Sequence, residues 1–138
     1  MRNIISVLLV VIAFAGCSKV EPDDADKFVG TWSLALTSDV RWGYDRGVIS
    51  ENGTIHIQKK SANEVWVTGY YNTTATASGN NLYLKQFTAQ DQTGSLKYTF
   101  GAWTLSGSQM SVSISDSGYI GGYNFSCNAV GYAYKTGN

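Results

Sequence analysis

The chain has 138 residues, ten of them basic and ten acidic, and a formal net charge of zero. That balance excludes a nucleic-acid surface built on concentrated positive charge, and the length corresponds to one domain. A hydrophobic content of 43% supplies a core, while 15 glycines, a single proline and 13% aromatics favour strands and turns over helices.

At the amino terminus, Met1-Arg2-Asn3 carries a positive charge, and Ser6 is the lone polar residue of the run 4–15. The run is too short for a membrane-spanning helix, which needs about 20 apolar residues. A basic flank, a short apolar stretch and small residues after it describe an export signal. Phe14-Ala15-Gly16-Cys17 resembles the lipobox of bacterial lipoproteins, with small residues before the modified cysteine and Phe14 where an aliphatic residue is usual. The resemblance implies a signal peptide over 1–16 and lipidation at Cys17, with a thioether-linked diacylglycerol and an amide-linked acyl chain such as palmitate. It implies a lipid anchor in the outer membrane, with the cell surface as one destination. A second reading stays open. Ala13-Phe14-Ala15 is an A-x-A site that would release a periplasmic or secreted chain beginning at Gly16. Cys17 and Cys127 could then pair, whereas lipidation leaves Cys127 a small buried hydrophobe.

Residues 18–27 are polar and contain Pro22, with Glu21, Asp23, Asp24 and Asp26 against Lys19 and Lys27. So little apolar surface predicts an acidic flexible tether over 17–27. The acidic run also resembles the signal that directs lipoproteins of the Bacteroidota to the outer leaflet.

From Phe28 the pattern is that of strands. Trp32–Leu36, Ile55–Ile57, Leu96–Phe100 and Met110–Ser115 alternate apolar with polar or small residues, as strands buried on one face do. Val65-Trp66-Val67 is apolar on both faces and continues as Thr68-Gly69-Tyr70-Tyr71, and a long alternating segment runs from Tyr123 to Lys135. Turn signals fall at Glu51-Asn52-Gly53, Lys60–Asn63, Ser78–Asn81, Asp91–Gly94, Ser106–Gln109, Ser117-Gly118 and Gly121-Gly122. The spacing predicts an all-β domain over 28–138. The expected form is a small antiparallel up-and-down barrel of about eight strands, with a β-sandwich as the alternative.

Lys27-Phe28-Val29-Gly30-Thr31-Trp32 resembles the G-x-W opening of lipocalin-like domains. The resemblance implies structural roles for Gly30, where the chain turns closely, and for Trp32, packed across one barrel end. The family pairs that Trp with an arginine on the last strand; here the basic residue nearby is Lys135. Small exported lipoproteins of the Bacteroidota share this layout of lipobox, acidic tether and barrel opening. Avidin-like barrels also open on G-T-W, but their biotin-contacting set has no assignable counterpart in this chain.

The chemistry-bearing residues point away from catalysis. His56 is the lone histidine and alternates with Ile55 and Ile57, so it is expected to face solvent, without the buried base and carboxylate of a hydrolytic triad. One histidine and one spare cysteine do not make a zinc site, and no cofactor motif is present. Asp39, Asp45, Glu51, Glu64, Asp91 and Asp116 mostly adjoin turns, where acids are ordinary turn formers. The aromatic excess is the functional lead, although strand aromatics also serve as core fill. Arg41–Gly47 reads as a connecting loop, and Trp42, Tyr44 and Trp103 are expected near the barrel mouth as ligand-binding residues. The expected function is binding of a lipid, sugar or other small apolar molecule by a membrane-anchored lipoprotein. The alternative is an envelope module that binds or inhibits another protein through its rim.

Overall fold

The computed structural model describes residues 23–90 and 92–138, so the expected signal peptide and Cys17 lie outside the described residues. Ten strands follow a short 3-10 helix, Asp24–Lys27. They are β1 Gly30–Trp42, β2 Asp45–Lys59, β3 Glu64–Gly69, β4 Thr73–Ser78, β5 Asn81–Leu84, β6 Phe87–Gln90, β7 Gly94–Phe100, β8 Trp103–Ser106, β9 Gln109–Ile120 and β10 Tyr123–Gly137. Every pairing is antiparallel, and the order β1-β2-β3-β4-β5-β8-β9-β10 closes on itself where β10 pairs β1. The fold is therefore all-β, an up-and-down ring of eight strands with β6 and β7 added at one end.

Those two extra strands are continuations of existing ones. β8 pairs the first part of β9 and β7 the second, so β7 and β8 lie in succession along one neighbour, broken at Gly101-Ala102. β5 and β6 are likewise separated only by Lys85-Gln86. These breaks leave no turn signature in the sequence.

One half of the ring is packed solid. Phe28, Trp32, Ile55, Val65, Val67, Leu82, Trp103 and Met110 are all fully buried there. Trp32 donates its indole N–H to the Phe28 carbonyl at 2.8 Å, which meets the polar demand of a buried Trp. Lys135 Nζ stands 5.9 Å from the centre of the Trp32 ring, within cation–π range. Gly30 has φ +140°, and a Cβ there would lie 2.5 Å from the Gly137 carbonyl oxygen, so only glycine fits this first residue of β1.

Of the tether expected over 17–27, residues 17–22 lie outside the described residues, and Asp24–Lys27 is the 3-10 helix. Ala25 and Phe28 are fully buried against the packed end, and the Ala25 N–H donates to the Ala62 carbonyl at 3.1 Å. The acids are engaged too: Asp24 accepts from the Gly79 N–H at 2.8 Å, and Lys59 lies 2.7 Å from Asp23 and 2.9 Å from Asp26. Exposed ion pairs contribute little on their own. The two buried side chains supply the apolar surface that a reading of the polar composition overlooks.

Three expected loops are also strand. Arg41–Gly47 is a tight hairpin in which β1 and β2 run on to Trp42 and Asp45, leaving Gly43-Tyr44 as the turn with Gly43 at φ +60°. Glu51-Asn52-Gly53 lies within β2, paired with Leu34–Leu36 of β1, and the Tyr70 ring packs where a Gly53 side chain would go. Ser117-Gly118 lies within β9, and the chain reverses at Gly121-Gly122 instead. Conversely, Tyr70-Tyr71 does not continue β3 but forms the turn into β4.

Candidate ligand site

The half of the barrel away from the 3-10 helix is open. β2 pairs β3 from Ile55 onward, with Thr54 accepting from the Tyr70 N–H at 3.0 Å. β3 turns back at Tyr70–Asn72, so Asp45–Gly53 has β1 as its one strand partner among the described residues. Across the gap, β6 pairs β7 on one side. The result is a trough in the barrel interior, with the Tyr70–Asn72 turn at the foot of its open side.

The trough holds a cavity of about 620 Å³, within the range of small-molecule sites. Strand alternation decides what lines it. β1 presents Val40 and Trp42, β2 Ile49 and Glu51, β7 Leu96 and Tyr98, β9 Asp116, and β10 Phe125, Cys127 and Ala129. Phe87 and Ala89 of β6 and the turn residues Tyr70, Tyr71 and Asn72 complete it. Small inward residues at Ala129, Cys127 and Ser38 leave the space that larger side chains fill at the packed end.

Aromatic rings form one wall. Phe87 stacks on Tyr98 at 4.6 Å with an interplanar angle of 19°, and Tyr71 meets Tyr70 edge-on at 4.9 Å and Phe100 at 5.4 Å. Trp103 stands behind Tyr71 at 6.5 Å and is fully buried.

Beside these rings lies a small polar group. Ser38, fully buried, donates to Glu51 Oε2 at 3.1 Å, and burial, then the Glu51 charge, raise the Tyr70 phenol. Asp116 is the cross-strand partner of Cys127 on one side and Tyr98 on the other. Its Oδ1 is buried with no hydrogen-bond partner among the described residues. Burial, and then the Glu51 charge, push its carboxyl up to about 6. Burial likewise raises the Tyr98 phenol and the Cys127 thiol, the latter opposed by its hydrogen bond with Ser38. Cys127 is a free thiol. Among the described residues the cavity is lined by two carboxyl groups and by no Lys, Arg or His.

Of the three residues expected at the mouth, only Trp42 lines the cavity, half exposed at the end of β1. Tyr44 is the fully exposed tip of the β1–β2 turn and does not reach it. Trp103 belongs to the packed core, because the break at Gly101-Ala102 starts β8 one layer below the cavity. His56 is exposed on the outer wall, its Nδ1 3.2 Å from the Thr31 hydroxyl. Glu51, Asp116, Cys127 and the Tyr70-Tyr71 pair were missed as site residues. A signal for two of them was available. Continuing the alternation Met110-Val112-Ile114 places Asp116 inward, and Phe125 and Ala129 frame Cys127 on the same face.

Among the described residues no group of His, Cys, Asp and Glu is arranged to hold a metal ion, and no helix is long and apolar enough to cross a membrane. No protein-family model, characterised protein or solved structure matches this chain.

Proposed function

We propose that this protein is a lipid-anchored lipoprotein of the bacterial outer membrane whose lipocalin-like barrel binds a small, mainly apolar ligand in its open half. The observation that carries the binding reading is the cavity of about 620 Å³, walled by aromatic and aliphatic side chains with a few convergent polar groups. The lipobox and Cys17 support the anchor, and the G-x-W opening at Gly30 and Trp32 supports the lipocalin-like assignment. Binding is favoured over catalysis because, among the described residues, no histidine lines the cavity to act as a general base.

The test is native mass spectrometry of the full chain after exposure to envelope lipid and oligosaccharide extracts. The expected result is a retained small-molecule adduct that disappears in Ala129→Phe, where the new ring fills the cavity. An adduct unaffected by that substitution, or no adduct from any extract, would refute the reading. The unpaired edges of β2 and β6 beside the opening favour a second reading, in which another envelope protein adds a strand there. A pull-down in which Ile49→Pro releases a captured protein would support it.

A further inference from the structure

We infer that the ligand of this cavity is cationic: an organic amine with an apolar or aromatic body, its ammonium group held between Asp116 and Glu51. The inference rests on the binding role proposed above and specifies the class of molecule that fills it.

The charge distribution of the cavity is one-sided. Glu51 from β2 and Asp116 from β9 face into the same space, and among the described residues no basic side chain lines it. The arginines of the β1–β2 hairpin belong elsewhere: Arg41 is exposed, alternating with the cavity-lining Val40 and Trp42, and Arg46 is paired with Asp39 at 2.8 Å. Two carboxylates in an apolar trough repel one another and lose hydration, a cost that a cation of the right reach removes. The hydrogen bonding is one-sided too. Glu51 is already served by Ser38, whereas Asp116 Oδ1 is a buried acceptor with no donor among the described residues. An ammonium group supplies up to three donors and a compensating charge at once. The aromatic rings beside Asp116, with Phe87 stacked on its cross-strand neighbour Tyr98 and Tyr71 next to them, suit an apolar body and attract a cation.

A pH dependence follows from what surrounds Asp116. It faces Glu51 of β2, Cys127 of β10, Tyr98 of β7 and the Tyr70 and Tyr71 hydroxyls of the β3–β4 turn. The phenols and the thiol stay neutral through the acid range, since each is raised above its ordinary value. Asp116 is therefore the group whose ionisation changes near pH 6, and an amine binds its ionised form. Affinity for the amine should rise about tenfold between pH 5 and pH 8, the ratio of ionised fractions for a carboxyl titrating near 6.

The experiment is calorimetric titration of the full chain with three probes of one shape: 4-phenylbutylamine, 4-phenylbutanol and 4-phenylbutanoate. At pH 8 the amine should bind at least about tenfold more tightly than the alcohol, with the carboxylate weakest. Asp116→Asn should bring the amine down to near the alcohol and flatten its pH profile. Where that variant fails to fold, the pH series on the parent chain decides. If alcohol and carboxylate bind as tightly as the amine, or the preference survives Asp116→Asn, the cationic assignment is wrong while small-ligand binding stands. Should none of the three bind at any pH, both fall together.

Discussion

Asp116 is a carboxyl placed where its ionisation works against the fold. An aspartate in an unfolded chain titrates at about 3.9, whereas burial and Glu51 push this one up to about 6 in the folded chain. Between those values the folded chain holds a proton that the unfolded chain has lost. Stability contributed by this group therefore falls as pH rises from about 4 to about 6, and the deficit is complete above that. Asp116→Asn removes the charge at constant shape. Its urea midpoint should exceed the parent's at pH 8 by an amount worth about 1 kcal/mol, after allowing for solvent screening at the open mouth. The gap should close by pH 4. The three aromatics of the expected mouth separate equally clearly. Trp42→Ala should weaken ligand binding with little loss of stability. Trp103→Ala should cost about 3–5 kcal/mol, measured by chemical unfolding, because it empties the packed core. Tyr44→Ala should change neither, since its ring stands in solvent.

Among the elements, the 3-10 helix and β10 carry the most specific demands. The helix closes the packed end through Ala25 and Phe28. Phe28→Ala should cost about 3–5 kcal/mol of unfolding free energy, a large effect for a residue adjoining a stretch whose composition reads as tether. In β10, a Cβ at Gly131 would fall 2.0 Å from the Ala35 carbonyl oxygen, where β1 and β10 close the ring. Gly131→Ala should therefore lower the denaturation midpoint by at least about 1–3 kcal/mol, the usual range for forcing atoms into a packed site. The strand periodicity was legible at this scale because each inner face alternates with solvent. The breaks at Lys85-Gln86 and Gly101-Ala102 were not, since nothing in their local chemistry demands a turn.

The molecule as a whole is a barrel with one end filled and the other hollow. The buried core is concentrated at the filled end, around Trp32, Trp103 and the 3-10 helix, while the open half keeps small residues and two carboxyl groups inside. A ligand there adds stability by mass action, about 2.7 kcal/mol at a hundredfold excess over its Kd. Melting temperature should accordingly rise with concentration of a bound amine in the parent chain and rise less in Asp116→Asn. At the other extreme of the chain, Cys17→Ser should leave the precursor unprocessed or release it from the membrane fraction. Normal processing to a soluble product would identify Ala15 as the cleavage position and the chain as periplasmic or secreted.

By itself the sequence determined the class of architecture: alternation, glycine-rich turns and the absence of a helical period leave antiparallel strands as the way to bury the core. It also set which residues of each strand share a face, since that period is local. The tertiary structure decided which of those faces meet packed neighbours and which meet space. Whether Asp116 is a turn former or a buried acceptor depends on Glu51, Tyr98 and Cys127, which arrive from three other strands. Trp42 and Trp103 look alike in the chain, and only ring closure sends one to the mouth and the other into the core. Local pattern controls orientation along a strand, but cavities and charge pairs arise from contacts between strands far apart in sequence.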